Sequence, residues 1–151
     1  MNILFLCTGN TCRSRMAEAI FNKKNNDKDI KAYSAGIMAV SGTRTSKNAA
    51  LVIKENLDID ISSNPARLFS REMVEKADLI FTMTGAIEKS IKSSYPAYIE
   101  KIFTLNGFIG LNSDILDPFG GDLQVYRQTF NQLNNSILLL NKKLKEDNGI
   151  Y

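Results

Sequence analysis

Short apolar runs and helix-period segments alternate from one end of the chain to the other, and this alternation limits the fold more than any other feature of the sequence. Ile3–Leu6 is an unbroken apolar run of strand length, as expected for a strand covered on both faces. Met16, Ala17, Ile20 and Phe21 then recur at helical spacing, with Ser14 and Glu18 near the helix start and a polar stretch, Asn22–Asp29, closing it. A second strand is expected across Ile30–Ile37 with Gly36 at its end, followed by a helix marked by Ala49, Ala50, Ile53 and Leu57 and a polar loop through Asn64-Pro65. Ser70 is placed to cap a short helix. Leu79–Met83 has the β-branched and aromatic content of a third strand. Residues 85–93 read as helix, Ile102–Leu105 as a fourth strand, and Asn106–Gly121 as a loop rich in Gly, Asn, Asp and Pro. Leu123, Tyr126, Phe130, Leu133, Ile137, Leu140 and Leu144 form a 3-4 stripe. It fits a coiled-coil seam or a long helix covering a sheet, and ending after about three heptads it favours the second.

Alternation of this kind implies βαβ crossovers and a parallel sheet with helices on both faces. With 151 residues, 44% of them apolar, and no repeat, linker or low-complexity stretch, one domain over 1–151 is expected. In open parallel sheets, ligands sit at the carboxyl ends of strands, so the loop after the first strand is the first place to look.

The chain contains no histidine. That excludes Ser-His-Asp hydrolysis, Cys-His proteolysis and the common zinc sites, so no metal is expected. Two cysteines make no disulfide framework and fit a reducing, cytoplasmic setting. A net charge of +3 falls short of a nucleic-acid footprint but suits an anionic substrate. The segment Met1–Leu6 lacks a basic n-region and a long apolar run, and no apolar stretch approaches about 18 residues, so neither a signal peptide nor a membrane span is expected.

The loop reads Cys7-Thr8-Gly9-Asn10-Thr11-Cys12-Arg13-Ser14, between a strand and a helix start. Amides of a tight strand-to-helix turn converge with the helix dipole on one anion site. A cysteine at that point is stabilised as the thiolate. Arg13, six positions on, can fold its planar fork over the same point and hold two phosphoryl oxygens. Gly9 and Asn10 supply residues tolerant of positive φ, and Ser14 can donate its hydroxyl to Cys7. A thiolate, an amide cradle and an arginine together specify phosphoryl transfer through a phosphocysteine. The leaving group needs an acid, and the candidates lie in Asn112–Asp122. Asp117 is favoured over Asp114 and Asp122 because Pro118 holds its backbone extended.

Together these residues resemble the low-molecular-weight protein phosphatase family: a near-N-terminal Cys-x5-Arg-Ser loop and a late Asp-Pro-Phe/Tyr loop, with the resemblance covering essentially the whole chain. The resemblance implies a Rossmann-like, flavodoxin-like fold, a three-layer α/β/α sandwich around a four-stranded parallel sheet. It further implies catalysis without a cofactor, on phosphorylated proteins, by a monomer. Under it Cys7 is the nucleophile, Arg13 the transition-state clamp and Asp117 the acid, then the base. The phosphate loop is Thr8, Gly9, Asn10, Thr11, Cys12, Arg13 and Ser14, supported from behind by Asn10 and Ser34. Tyrosine-specific members usually carry a bulky aliphatic residue where this chain has Thr11, whereas the bacterial protein-arginine phosphatases carry threonine. With Phe119, Thr11 therefore points to phosphoarginine, phosphotyrosine being the alternative.

Two departures stand out. Where the family usually has proline after Arg-Ser this chain has Arg15, expected in solvent, and where some members use histidine beneath the nucleophile, Asn64 is a substitute by position. Cys12 is open between a small packed residue and a resolving thiol for Cys7, which would make the enzyme redox-sensitive. Three other classes fit the residues less well. An arsenate reductase needs a further cysteine pair near residue 80, and this chain has none beyond Cys12. A phosphocysteine carrier of sugar transport has no need of Arg13 with an aspartate. A dead phosphoprotein-binding module has no need of the intact Cys7, Arg13 and Asp117 set.

Overall fold

The computed structural model describes residues 1–147; residues 148–151 of the expected domain lie outside the described residues. Four strands, β1 (Asn2–Cys7), β2 (Lys31–Gly36), β3 (Leu79–Thr82) and β4 (Ile102–Thr104), form one sheet in the order β2-β1-β3-β4. Every pairing is parallel, with Phe5 opposite Ser34 on one side and Phe81 on the other. The helices are α1 (Arg13–Lys24), α2 (Lys47–Leu57), α3 (Arg71–Lys76), α4 (Gly85–Ser94), α5 (Leu105–Phe108) and α6 (Leu123–Asp147).

Alternation along β1 builds the three layers. Ile3 and Phe5 enter a core with Met16 and Ile20 of α1, Val52 and Ile53 of α2, and Leu133 and Ile137 of α6. Leu4 and Leu6 enter a second core with Val74 of α3, and Ile87 and Ile91 of α4. This is the expected α/β/α sandwich. The α6 stripe from Tyr126 to Leu144 is buried against the sheet layer, as a covering helix requires. No helix among the described residues is long and apolar enough to cross a membrane.

Several boundaries differ from expectation. β2 ends at Gly36 as expected, but β3 stops at Thr82 and β4 at Thr104, whose hydroxyl accepts the Gly107 amide and starts α5, which runs from Leu105 into the stretch read as loop. Pro96–Lys101 forms a 3-10 helix that no periodicity announced. Ser70 caps α3 as expected, accepting from the Met73 amide.

β1 lies at the point where the chain turns to opposite sides, β2 on its one edge and β3 on the other. Cys7 is its last residue, at the carboxyl end.

Candidate active site

The Cys7–Ser14 loop is packed directly onto the end of β2, and one glycine permits it. A Cβ on Gly36 would lie 2.6 Å from the Thr8 carbonyl oxygen and 2.7 Å from the Asn10 nitrogen, both backbone atoms. Past Gly36, the Ile37 and Met38 amides donate to the Cys7 and Thr8 carbonyls at 3.0 and 2.9 Å. The Ser46 amide holds the far side through the Thr11 carbonyl at 2.9 Å.

Inside the loop the left-handed residue is Asn10 (φ 56°), not Gly9. Asparagine serves because its buried amide is used completely. Its Oδ1 accepts the Arg67 amide at 2.9 Å, and its Nδ2 donates to Ser14 Oγ at 2.8 Å and to Ser34 Oγ at 2.9 Å. With Asn10 donating to it, Ser14 has one proton to place, and Cys7 Sγ at 2.8 Å is nearer than the Ala35 carbonyl at 3.4 Å. The Asn10 amide adds a 3.3 Å bond to the same sulfur. Two hydrogen-bonding groups thus converge on the sulfur.

Helices α2 to α5 each begin with a serine or threonine side chain accepting an amide, whereas Cys12 at the N-cap of α1 makes no such bond. The first-turn donors of α1 remain available to an anion. Cys12 instead packs between Ser46 Oγ at 3.3 Å and the Tyr126 hydroxyl at 3.4 Å. Burial, and then the bond with Cys12, push the Tyr126 hydroxyl up to about 12, so it stays protonated at neutral pH.

Arg13 opens α1, is buried, and reaches the opposite loop, where Nη1 donates to the Ile115 carbonyl at 3.3 Å and Nη2 lies 3.5 Å from Asp117 Oδ2. The Asp117 side chain is 56% exposed, with Oδ1 accepting the Phe119 amide at 3.1 Å. The structure thus brings Cys7 to Ser14 and Arg13 to Asp117, with Asn10 bonded to Ser14 and Ser34 behind the loop. Phe119 is 82% exposed, and the half-buried Thr11 places Oγ1 3.7 Å from Cys12 Sγ and 3.7 Å from where a Cβ on Gly9 would sit.

Two expectations are corrected. Arg15 is not in solvent: it is 1% exposed, paired with Glu18 at 2.8 Å and donating to the Pro65 carbonyl. Nor does Asn64 stand in for the missing histidine, since its bonds are backbone ones to Ile61 and Thr45. The support beneath the loop is Glu18, which accepts from Ser34 Oγ at 3.2 Å and from Arg67 at 3.3 Å as well as from Arg15. The Arg15–Glu18 spacing of one helical turn was the available signal for this pair. Arg67 and Pro65, some fifty residues away, had none.

Among the described residues no three His, Cys, Asp or Glu side chains gather to hold a metal ion. A groove of about 460 Å³ lined by Leu4, Tyr33, Arg67, Met73 and Ala77 includes neither Cys7, Arg13 nor Asp117, so the chemistry, and not cavity size, marks the site.

Comparison with known proteins agrees with this geometry. The family model described as low molecular weight phosphotyrosine protein phosphatase matches residues 2–149. A protein-arginine-phosphatase of Bacillus subtilis is 36% identical, over 97% of this chain and 99% of its own. The crystal structure of a low molecular weight protein tyrosine phosphatase from T. tengcongensis is 44% identical with a TM-score of 0.91, over 95% of this chain and 99% of that one. A solved arginine phosphatase with cysteine replaced by serine, its active-site serine phosphorylated, is 35% identical with a TM-score of 0.91, over 97% of both chains. The fold, the loop and these likenesses place the chain in the low-molecular-weight phosphotyrosine protein phosphatase family.

Proposed function

We propose that the chain, acting as one domain over 1–151, is a protein-arginine phosphatase that removes the phosphoryl group of phosphoarginine through a phosphocysteine on Cys7. The observation that carries the chemistry is the 2.8 Å contact of Cys7 Sγ with Ser14, inside a loop faced by Arg13 and Asp117. In the first step the Cys7 thiolate attacks phosphorus, the S–P bond forms and the P–N bond breaks. Its electron pair goes to the guanidine nitrogen, which takes a proton from the Asp117 carboxyl group. Arg13 and the loop amides hold the equatorial oxygens as charge builds on them. In the second step Asp117 takes a proton from water as that water attacks phosphorus. The S–P bond breaks, its pair returns to Cys7, and inorganic phosphate leaves.

Thr11 and the relatives support the arginine assignment. A hydroxyl at the pocket wall can orient a planar, polar guanidinium, whereas an aliphatic wall suits a phenol ring. The full-length likeness to a protein-arginine-phosphatase points the same way, and the phosphorylated active-site serine of a solved arginine phosphatase supports the covalent step. The alternative substrate is phosphotyrosine, favoured by the 44% identity to a protein tyrosine phosphatase. Phosphate release from a phosphoarginine protein tests the proposal. The parent is expected to release it undiminished by chelators, and Cys7→Ser to release none; a parent inert on phosphoarginine overturns it.

A further inference from the structure

Two α6 side chains hold the segment carrying the acid: Thr129 donates from Oγ1 to the Leu116 carbonyl at 3.5 Å, and Gln132 acts as a neighbouring strand. Gln132 donates from Nε2 to the Asp114 carbonyl at 2.9 Å and accepts the Leu116 amide on Oε1 at 3.1 Å. In a parallel ladder a residue bonds the carbonyl before and the amide after the residue it faces. The Gln132 amide makes that pair of bonds around Ile115. On the other edge the Ile115 amide donates to the Met83 carbonyl at 2.9 Å, and its carbonyl accepts Arg13 at 3.3 Å. Residues 114–116 are therefore tied on both edges although they belong to no strand of the sheet.

One turn along α6, Ser136 donates to Asn106 Oδ1 at 2.6 Å, and Asn106 Nδ2 donates to the Ser113 carbonyl at 2.8 Å. From Asp117 onward the loop's bonds turn local: Phe119 amide to Asp117 Oδ1, and Gly121 amide to the Pro118 carbonyl at 2.9 Å. Asp117 is thus the first residue beyond the clamp, and Pro118 limits its backbone.

We propose that Gln132 is a positioning residue for proton transfer: its side-chain amide sets where the Asp117 carboxyl meets the leaving group. This rests on Asp117 being the acid. Gln132 touches no reacting atom, so its loss acts on the one step that needs Asp117.

Two aryl phosphates separate that effect from a structural one, read as kcat/KM, which reports steps up to phosphocysteine formation. Phenol, with a pKa of about 10, must be protonated as it leaves, and a strongly electron-poor phenol need not be. Gln132→Met keeps the length and removes the amide. It is expected to lose about tenfold on phenyl phosphate and less than about twofold on the electron-poor substrate. Gln132→Glu, whose acid form donates and accepts as glutamine does, is expected to recover the phenyl phosphate rate at low pH relative to Gln132→Met and lose it on ionising. Asp117→Asn should show the same selectivity, and the double variant should fall little further than Asp117→Asn alone. Equal loss on both substrates in Gln132→Met, with Asp117→Asn selective, overturns the clamp and leaves the acid standing. If Asp117→Asn is itself unselective, the acid assignment falls and the role of Gln132 with it.

Discussion

The two loops that face each other across the site are built on opposite plans. In the phosphate loop Asn10 and Ser14 are fully buried, and their polar groups have partners on Cys7, Ser34, Ala35 and Arg67. In the acid loop Asp117 is more than half exposed and Phe119 nearly bare, and beyond Leu116 the backbone is held by its own turns. The difference follows from what each must do. Donors aimed at a developing charge help only if they need no reorganisation when the charge appears, so the cradle is locked from behind. An acid must meet leaving groups of varying size and let product out, so its tip stays open and only its root is fixed.

The sharpest way to break the locked half is Gly36→Ala. The added carbon meets only backbone, so the loop itself must move. Loss of measurable turnover is expected, with about 1–3 kcal/mol of stability lost in chemical denaturation. Wild-type activity would show that the loop is not seated on β2 as described.

Glu18→Gln attacks the same half from below by leaving Arg15 buried without its anion. About 3 kcal/mol of stability should be lost, as for a buried pair with one partner removed, together with activity on every substrate alike. A variant as stable as the parent would reduce the Arg15–Glu18–Arg67 group to a passive contact.

Thr11→Ile changes a half-buried side chain of the phosphate loop. It is expected to shift the ratio of phosphoarginine to phosphotyrosine kcat/KM about tenfold toward phosphotyrosine, the scale of 1–3 kcal/mol that one pocket group commands. A uniform change in both would remove Thr11 from specificity. The smallest effect belongs to the open half: Phe119→Ala should change kcat/KM on a free aryl phosphate less than about threefold and leave stability within about 0.5 kcal/mol. A large loss of stability would mean that the ring is not solvent-facing.

What the amino-acid sequence disclosed follows the range of the interactions. Cys7 to Ser14 is contiguous, so nucleophile, clamp and hydroxyl donor could be read from spacing, as could the α6 stripe and β1. Asn10 was legible as a residue tolerant of positive φ, but that it takes this conformation and Gly9 does not depends on Arg67, 57 positions on. Arg15 looked like a solvent cation because Pro65, which caps it, is remote in sequence. Gly36 resembled an ordinary strand end until β2 was laid beside β1. The Gln132 bonds go to backbone carbonyl and amide groups that every residue carries, so no side-chain pattern could signal them. The short helix α5 follows from one threonine cap on four residues, below the length at which periodicity speaks.

The most direct test of the central claim is turnover of two peptides of one sequence, bearing phosphoarginine or phosphotyrosine at the same position, by the unaltered protein. A higher kcat/KM on the phosphoarginine peptide, lost on both in Cys7→Ser, is the predicted result. A clear preference for the phosphotyrosine peptide would contradict it.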